Sequence, residues 1–81
     1  MSNFSAQFAK FVPTKSGAFA TSRYLPDGLQ ESHQEWCERG TINGENVFIY
    51  WMFTNEEAAV EDGADMPFDA DHIDRIVADE E

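Results

Sequence analysis

The dipeptide Asn43-Gly44, set between two β-favouring runs at residues 35–42 and 47–53, constrains this chain more than any other feature. Both residues tolerate the positive φ of tight hairpin turns, so the runs are predicted to fold back on each other as antiparallel strands. With Gly44 and Glu45 at the tip, Ile42 faces Val47 and Trp36 faces Phe53; with Asn43 and Gly44 at the tip, Ile42 faces Glu45. The first register pairs like with like and is the expected one. In the second strand Val47, Ile49, Trp51 and Phe53 line one face, and Phe48, Tyr50 and Met52 the other. A strand apolar on both faces is central in its sheet, or one of its faces is an interface.

Upstream, residues 18–25 read as another strand, ending at the turn Pro26-Asp27-Gly28. The first dozen residues fit two patterns. Phe4, Phe8, Phe11 and Val12 make the stripe of an amphipathic helix. Residues 8–12 also fit a strand that turns back at Pro13 and Gly17 into residues 18–25, and this strand is the expected form. Beyond Phe53 the period changes. Thr54 and Glu57 match a capping box for a short helix stopped by Gly63, and residues 62–67 are a turn. Asp69 is predicted to cap a last helix over residues 70–80. Ala70, Ile73, Ile76 and Val77 would form its inner stripe, and Asp71, Asp74, Arg75 and Asp79 its outer face. The expected fold class is α+β: a small antiparallel sheet of three to four strands, with the C-terminal helix packed on one face and one further short helix.

A chain of 81 residues is expected to be a single domain, and its seven Phe, two Tyr and two Trp set it apart from disordered acidic chains. Ile49 and Trp51 are expected in the core, while some of Tyr24, Phe48, Tyr50 and Trp51 are candidates for exposed contact anchors. The one cysteine, Cys37, cannot close an intrachain disulfide, which suits a reducing compartment. Residues 2–12 lack the apolar core of a signal peptide, and the longest apolar run, residues 47–53, is far too short to span a membrane. A cytoplasmic protein is expected.

Charge divides the chain. Residues 1–55 hold five acids (Asp27, Glu31, Glu35, Glu38, Glu45) against four bases (Lys10, Lys15, Arg23, Arg39). Residues 56–81 hold eleven acids against Arg75 alone. Such a field repels nucleic acid and anionic lipid and attracts proteins built to hold a polyanion. The candidate partner-binding residues are Glu56, Glu57, Glu61, Asp62, Asp65, Asp69, Asp71, Asp74, Asp79 and Glu80. A helix of about twelve residues is ~18 Å long at ~1.5 Å per residue. The same length of duplex DNA carries roughly ten phosphates, about half on one side, a linear density these carboxylates could match. Arg75 would brace the outer row from four residues after Asp71 and four before Asp79. The competing reading of such a charge run is a solvated, solubilising face.

Other chemistries find little support. Asp69, Asp71 and Glu80 fall at positions 1, 3 and 12 of a calcium loop, but Ile73 replaces an oxygen ligand and Asp74 the turn glycine. His33, His72 and Cys37 fall short of the four ligands of a zinc site. His72 is three residues after Asp69 and is expected to pair with it, and Cys37 reads as a packed strand residue. Ser32-His33 has no third partner for nucleophilic catalysis, and the glycines are isolated turn residues. No enzymatic activity, metal or cofactor is expected.

A small acidic domain with a patterned sheet and the carboxylate-rich segment 56–81 resembles the bacteriophage-encoded inhibitors that mimic DNA, the anti-restriction and anti-CRISPR proteins. The resemblance is one of class and rests on about a third of the chain. It implies stoichiometric blockade, in the host cytoplasm, of a basic DNA-binding protein or ribonucleoprotein such as a CRISPR effector or restriction enzyme, at the surface that grips duplex DNA. It implies no direct contact with nucleic acid or membrane. An acidic module for some other basic partner and a halophile domain are the alternatives. The near-neutral first 55 residues argue against the second.

Overall fold

Strands β2 (His33–Ile42) and β3 (Glu45–Thr54) form the predicted hairpin in the computed structural model, which describes residues 4–21, 25–59 and 66–79. The tip is Asn43-Gly44, with φ of 54° and 83°. Ile42 therefore faces Glu45 and Trp36 faces Trp51, two residues away from the expected register. Backbone cost decides this. Holding Glu45 left-handed would cost ~1–2 kcal/mol, whereas matching one apolar cross-strand pair gains only ~0.2–1 kcal/mol. The slip is even, so each side chain keeps its expected face.

Strands β1 (Phe11–Ala20) and β4 (Ile73–Ala78) flank the hairpin, giving one antiparallel sheet in the order β1-β2-β3-β4, with β3 interior as its two-sided apolarity requires. The first residues are neither of the two expected forms alone. Helix α1 (Phe4–Ala9) takes up the first part of the phenylalanine stripe, and the chain becomes extended at Phe11. Pro13 disfavours helical backbone at Val12, so the helix cannot run on. No return turn forms at residues 13–17. Pro13 pairs with Gly40 and Ala18 with Glu38, so residues 14–17 bulge opposite Arg39 while β1 continues in one direction. Of the expected strand 18–25 only the first part, to Ala20, belongs to β1, and residues 22–24 lie outside the described residues.

The capping box forms as expected. The Thr54 hydroxyl accepts from the Glu57 N–H at 3.1 Å, and the Glu57 carboxylate accepts from the Thr54 N–H at 2.9 Å. The helix it starts, α2 (Asn55–Ala58), is one turn long, and Gly63, its expected stop, lies outside the described residues. The C-terminal helix is corrected outright. Asp69 caps only a 3₁₀ turn, Ala70–His72, after which the chain is β4. A bulge at Asp74 explains the misleading period. Tyr50 pairs with Arg75 but Trp51 with Ile73, so Asp74 is an extra residue in the strand. Ile73 and Ile76, three apart as on a helix, thereby reach the same face of the sheet. Pairing β4 also satisfies the outer backbone groups of β3, which a helix would leave bare.

On the core face Ile49, Trp51, Phe53, Met66 and Ile73 cluster, packed by Phe4 and Phe8 of α1 and by Phe11, Trp36 and Phe68. Phe68 meets Trp51 and Phe53 edge-on at centroid distances of 5.1 and 5.2 Å. Among the described residues no helix is long and apolar enough to cross a membrane.

Candidate functional site

The ten candidate carboxylates do not form one row. Glu61, Asp62, Asp65 and Glu80 lie outside the described residues, and the other six separate into two groups. Glu56 and Glu57 on α2 and Asp69 and Asp71 around the 3₁₀ turn gather at the end of the sheet where β3 finishes and β4 begins. His72 joins them: its Nδ1 is 2.9 Å from the Asp69 Oδ1 and its Nε2 is 3.2 Å from the Glu57 Oε2. The Asp69 pairing matches expectation, while the Glu57 contact spans 15 residues and no local pattern signals it. The imidazole lies tilted against Phe53, with centroids 5.2 Å apart. Hydrogen bonding to Asp69, and secondarily to Glu57, holds the His72 pKa above its ordinary value. The Glu57 carboxyl is held low first by the Thr54 N–H, and the Asp69 carboxyl first by His72. Glu56 and Asp71 are exposed.

Asp74 and Asp79 belong instead to the sheet face opposite the core, where both sit beside arginines. The Asp79 carboxylate, its side chain only 10% exposed, lies 3.2 Å from the Arg39 Nε, and its N–H donates to the Asn46 carbonyl at 2.9 Å. Asp74 lies 3.0 Å from Arg75 Nη1, which is also 3.4 Å from a carboxylate oxygen of Glu35. Arg75 therefore does not brace Asp71 and Asp79, and the expected helical row is overturned.

The two arginines cross the same strand in opposite directions. Arg39 on β2 passes over the Phe48 ring at 5.1 Å to reach Asp79 beyond β4. Arg75 on β4 passes over the Tyr50 ring at 4.3 Å to reach Glu35 on β2. Each guanidinium rests on an aromatic face, which attracts a cation electrostatically, while its charge meets a carboxylate on the far side. The bulge at Asp74 lets two consecutive residues, Asp74 and Arg75, act on this face together.

Glu35 is the functional-type residue that sequence reasoning missed, since the charge count places it only among the five acids of the near-neutral first 55 residues. It is fully buried, and its Oε1 has no hydrogen-bond partner among the described residues. Burial, reinforced by the neighbouring Asp74 and opposed by Arg75, pushes its pKa up to about 7. The available signal was position: with Trp36 on the core side, alternation sends Glu35 and Cys37 to the other face, against the apolar Tyr50 and Met52 of a central strand. Cys37 is buried as expected, and burial raises its thiol pKa. Of the candidate aromatic anchors Trp51 and Tyr50 are buried, Phe48 is half-buried, and Tyr24 lies outside the described residues. Among the described residues the large apolar side chains most exposed are Val12, Phe19 and Val77.

No protein-family model matches the sequence, and neither curated proteins nor solved structures show a match to it.

Proposed function

We propose that this protein is a non-enzymatic cytoplasmic inhibitor. It occupies the DNA-binding groove of a basic nucleic-acid-handling protein or ribonucleoprotein, of the CRISPR-effector or restriction-enzyme kind, and offers carboxylates where that groove expects phosphates. The observation that carries this reading is that His72 joins Glu57 of one short element to Asp69 of another at one end of the sheet, with Glu56 and Asp71 exposed beside them in the chain. In the sequence Glu61, Asp62 and Asp65 fall between these two elements. Asp74 and Asp79, engaged with arginines on the other face, are removed from the binding surface.

The test combines charge reversal with competition. Glu56→Lys with Asp71→Lys changes two exposed positions at the acidic end and is expected to weaken capture of the partner severely. Asp27→Lys with Glu45→Lys, also exposed but outside this group, is the control with little effect. Binding should be lost with rising salt and be mutually exclusive with DNA. A stable ternary complex of partner, DNA and this protein would sink the mimic and leave an acidic module that binds a basic partner elsewhere.

A further inference from the structure

We propose that His72 is a proton-operated latch on the acidic end: as the imidazolium it ties α2 to the 3₁₀ turn, and on losing its proton it releases the tie and adds one negative charge to the surface. The charge part rests on the function proposed above; the tie does not.

Hydrogen-bond valence is the warrant. Both ring nitrogens face carboxylate oxygens, the Asp69 Oδ1 at 2.9 Å and the Glu57 Oε2 at 3.2 Å. Ionised carboxylates only accept, and a neutral imidazole has a single N–H. Only the imidazolium can satisfy both contacts. Deprotonation sets a nitrogen lone pair against a carboxylate lone pair at one of them, and that contact must open. Among the described residues the other neighbours do not replace the missing proton. Strand β3 presents Phe53 to the ring, helix α1 has no titratable side chain, and α2 offers only the carboxylates of Glu56 and Glu57. Asp71, next to His72 in the chain, is exposed. The raised pKa of His72 agrees with this surrounding of acids.

The consequence for charge has a definite sign. Imidazolium with Glu57 and Asp69 carries one net negative charge; neutral imidazole with the same carboxylates carries two. The latch thus loosens and the end grows more anionic as pH rises through the His72 titration.

Nitrogen-15 chemical shifts of the imidazole in the free protein provide the first test, since they report the protonation of each ring nitrogen. Both are expected to carry protons until the pH exceeds the ordinary histidine value of ~6.5. Glu57→Gln, which can keep the capping box, should move the midpoint down. The protection factors of the α2 amides, which divide out the base-catalysed rise of intrinsic exchange with pH, should fall as His72 deprotonates, and His72→Gln should abolish that fall. A midpoint at or below the ordinary value, or α2 protection indifferent to the titration, overturns the latch. Affinity for poly-L-lysine, followed through the same titration, should rise more for the wild type than for His72→Gln; equal profiles overturn the charge coupling. All arms use this protein without its biological partner, so their failure leaves the inhibitor reading standing, and the ternary-complex test can fail without touching the latch.

Discussion

The two faces of the sheet solve the same problem by different chemistry. Strand β3 is apolar on both sides, and each side must be kept from water. The core face is covered by the chain's own aromatics, Phe8 and Phe68 among them, and Trp51, Phe53 and Ile49 are left essentially without solvent contact. The opposite face is covered largely by side chains of the sheet itself, with Arg39 and Arg75 laid across Phe48 and Tyr50 and anchored on carboxylates. The contrast teaches that formal charge overstates what this protein can offer a partner. Three of its acids, Glu35, Asp74 and Asp79, are engaged in closing a sheet face.

The comparison breaks most visibly at Trp51. Trp51→Ala is expected to cost about 3–5 kcal/mol, as large aromatic truncations in a packed core do, a major part of a small domain's stability. Denaturant unfolding measures it, and a loss under 1 kcal/mol would mean that the core face is not the dominant one. Next comes Arg75→Ala, which strands a buried carboxyl. Because Arg75 is itself about a third exposed, we expect about 1–3 kcal/mol, below the usual figure for breaking a fully buried pair. The loss should be greater at pH 8 than at pH 5, since at pH 5 Glu35 holds its proton. Gly40→Ala is expected to cost a comparable ~1–3 kcal/mol by overpacking, because a methyl there collides with the Phe11 ring and the Val12 carbonyl.

Stability against pH separates the faces further. The Glu35 pKa is raised from 4.5 to about 7 on folding, so the folded protein binds the extra proton and its contribution is complete below pH ~4.5. That contribution is lost as pH rises towards and through 7. His72, also raised, acts in the same direction, whereas Glu57 and Asp69, both lowered, contribute stability that is lost on acidification. Urea midpoints should therefore fall between pH 5 and 8, and Glu35→Gln should flatten much of that slope. The smallest effect is expected for Asp79→Asn, at most ~1 kcal/mol, because Arg39 is half exposed. An unchanged slope in Glu35→Gln would assign the pH dependence to the acidic end.

The legible and the illegible parts of this molecule differ in range. Asn43-Gly44 and the two-sided run at 47–53 give the hairpin and the central strand, because turn chemistry and alternation are local. The cap at Thr54 and Glu57 is local too. The final strand was not legible, since the Asp74 bulge imitates helical spacing and only β3, distant in sequence, supplies the backbone partners that make β4 the better outcome. The candidate site follows the same rule. Where the acids lie is plain, but which remain available depends on pairs such as Glu35 with Arg75, separated by 40 positions. Short-range reasoning assigns Arg75 to its helical neighbours and sees in Glu35 only one acid among the five of residues 1–55.

The strand order has a consequence for how the molecule assembles. Every strand pairs with its neighbour in sequence, and the tightest link is the two-residue turn at Asn43-Gly44, so loop-closure entropy favours β2 and β3 as the first pair. Strand β4 must wait for a longer loop to close, and the 3₁₀ turn and its histidine contacts are completed only when β4 docks. Folding-rate measurements should thus give high φ-values at Val47 and Ile49 and low ones at Ile73 and Ile76. The same hierarchy read backwards makes the acidic end the first region to open in the native state, which leaves it the part of the protein most able to adjust its shape to a partner.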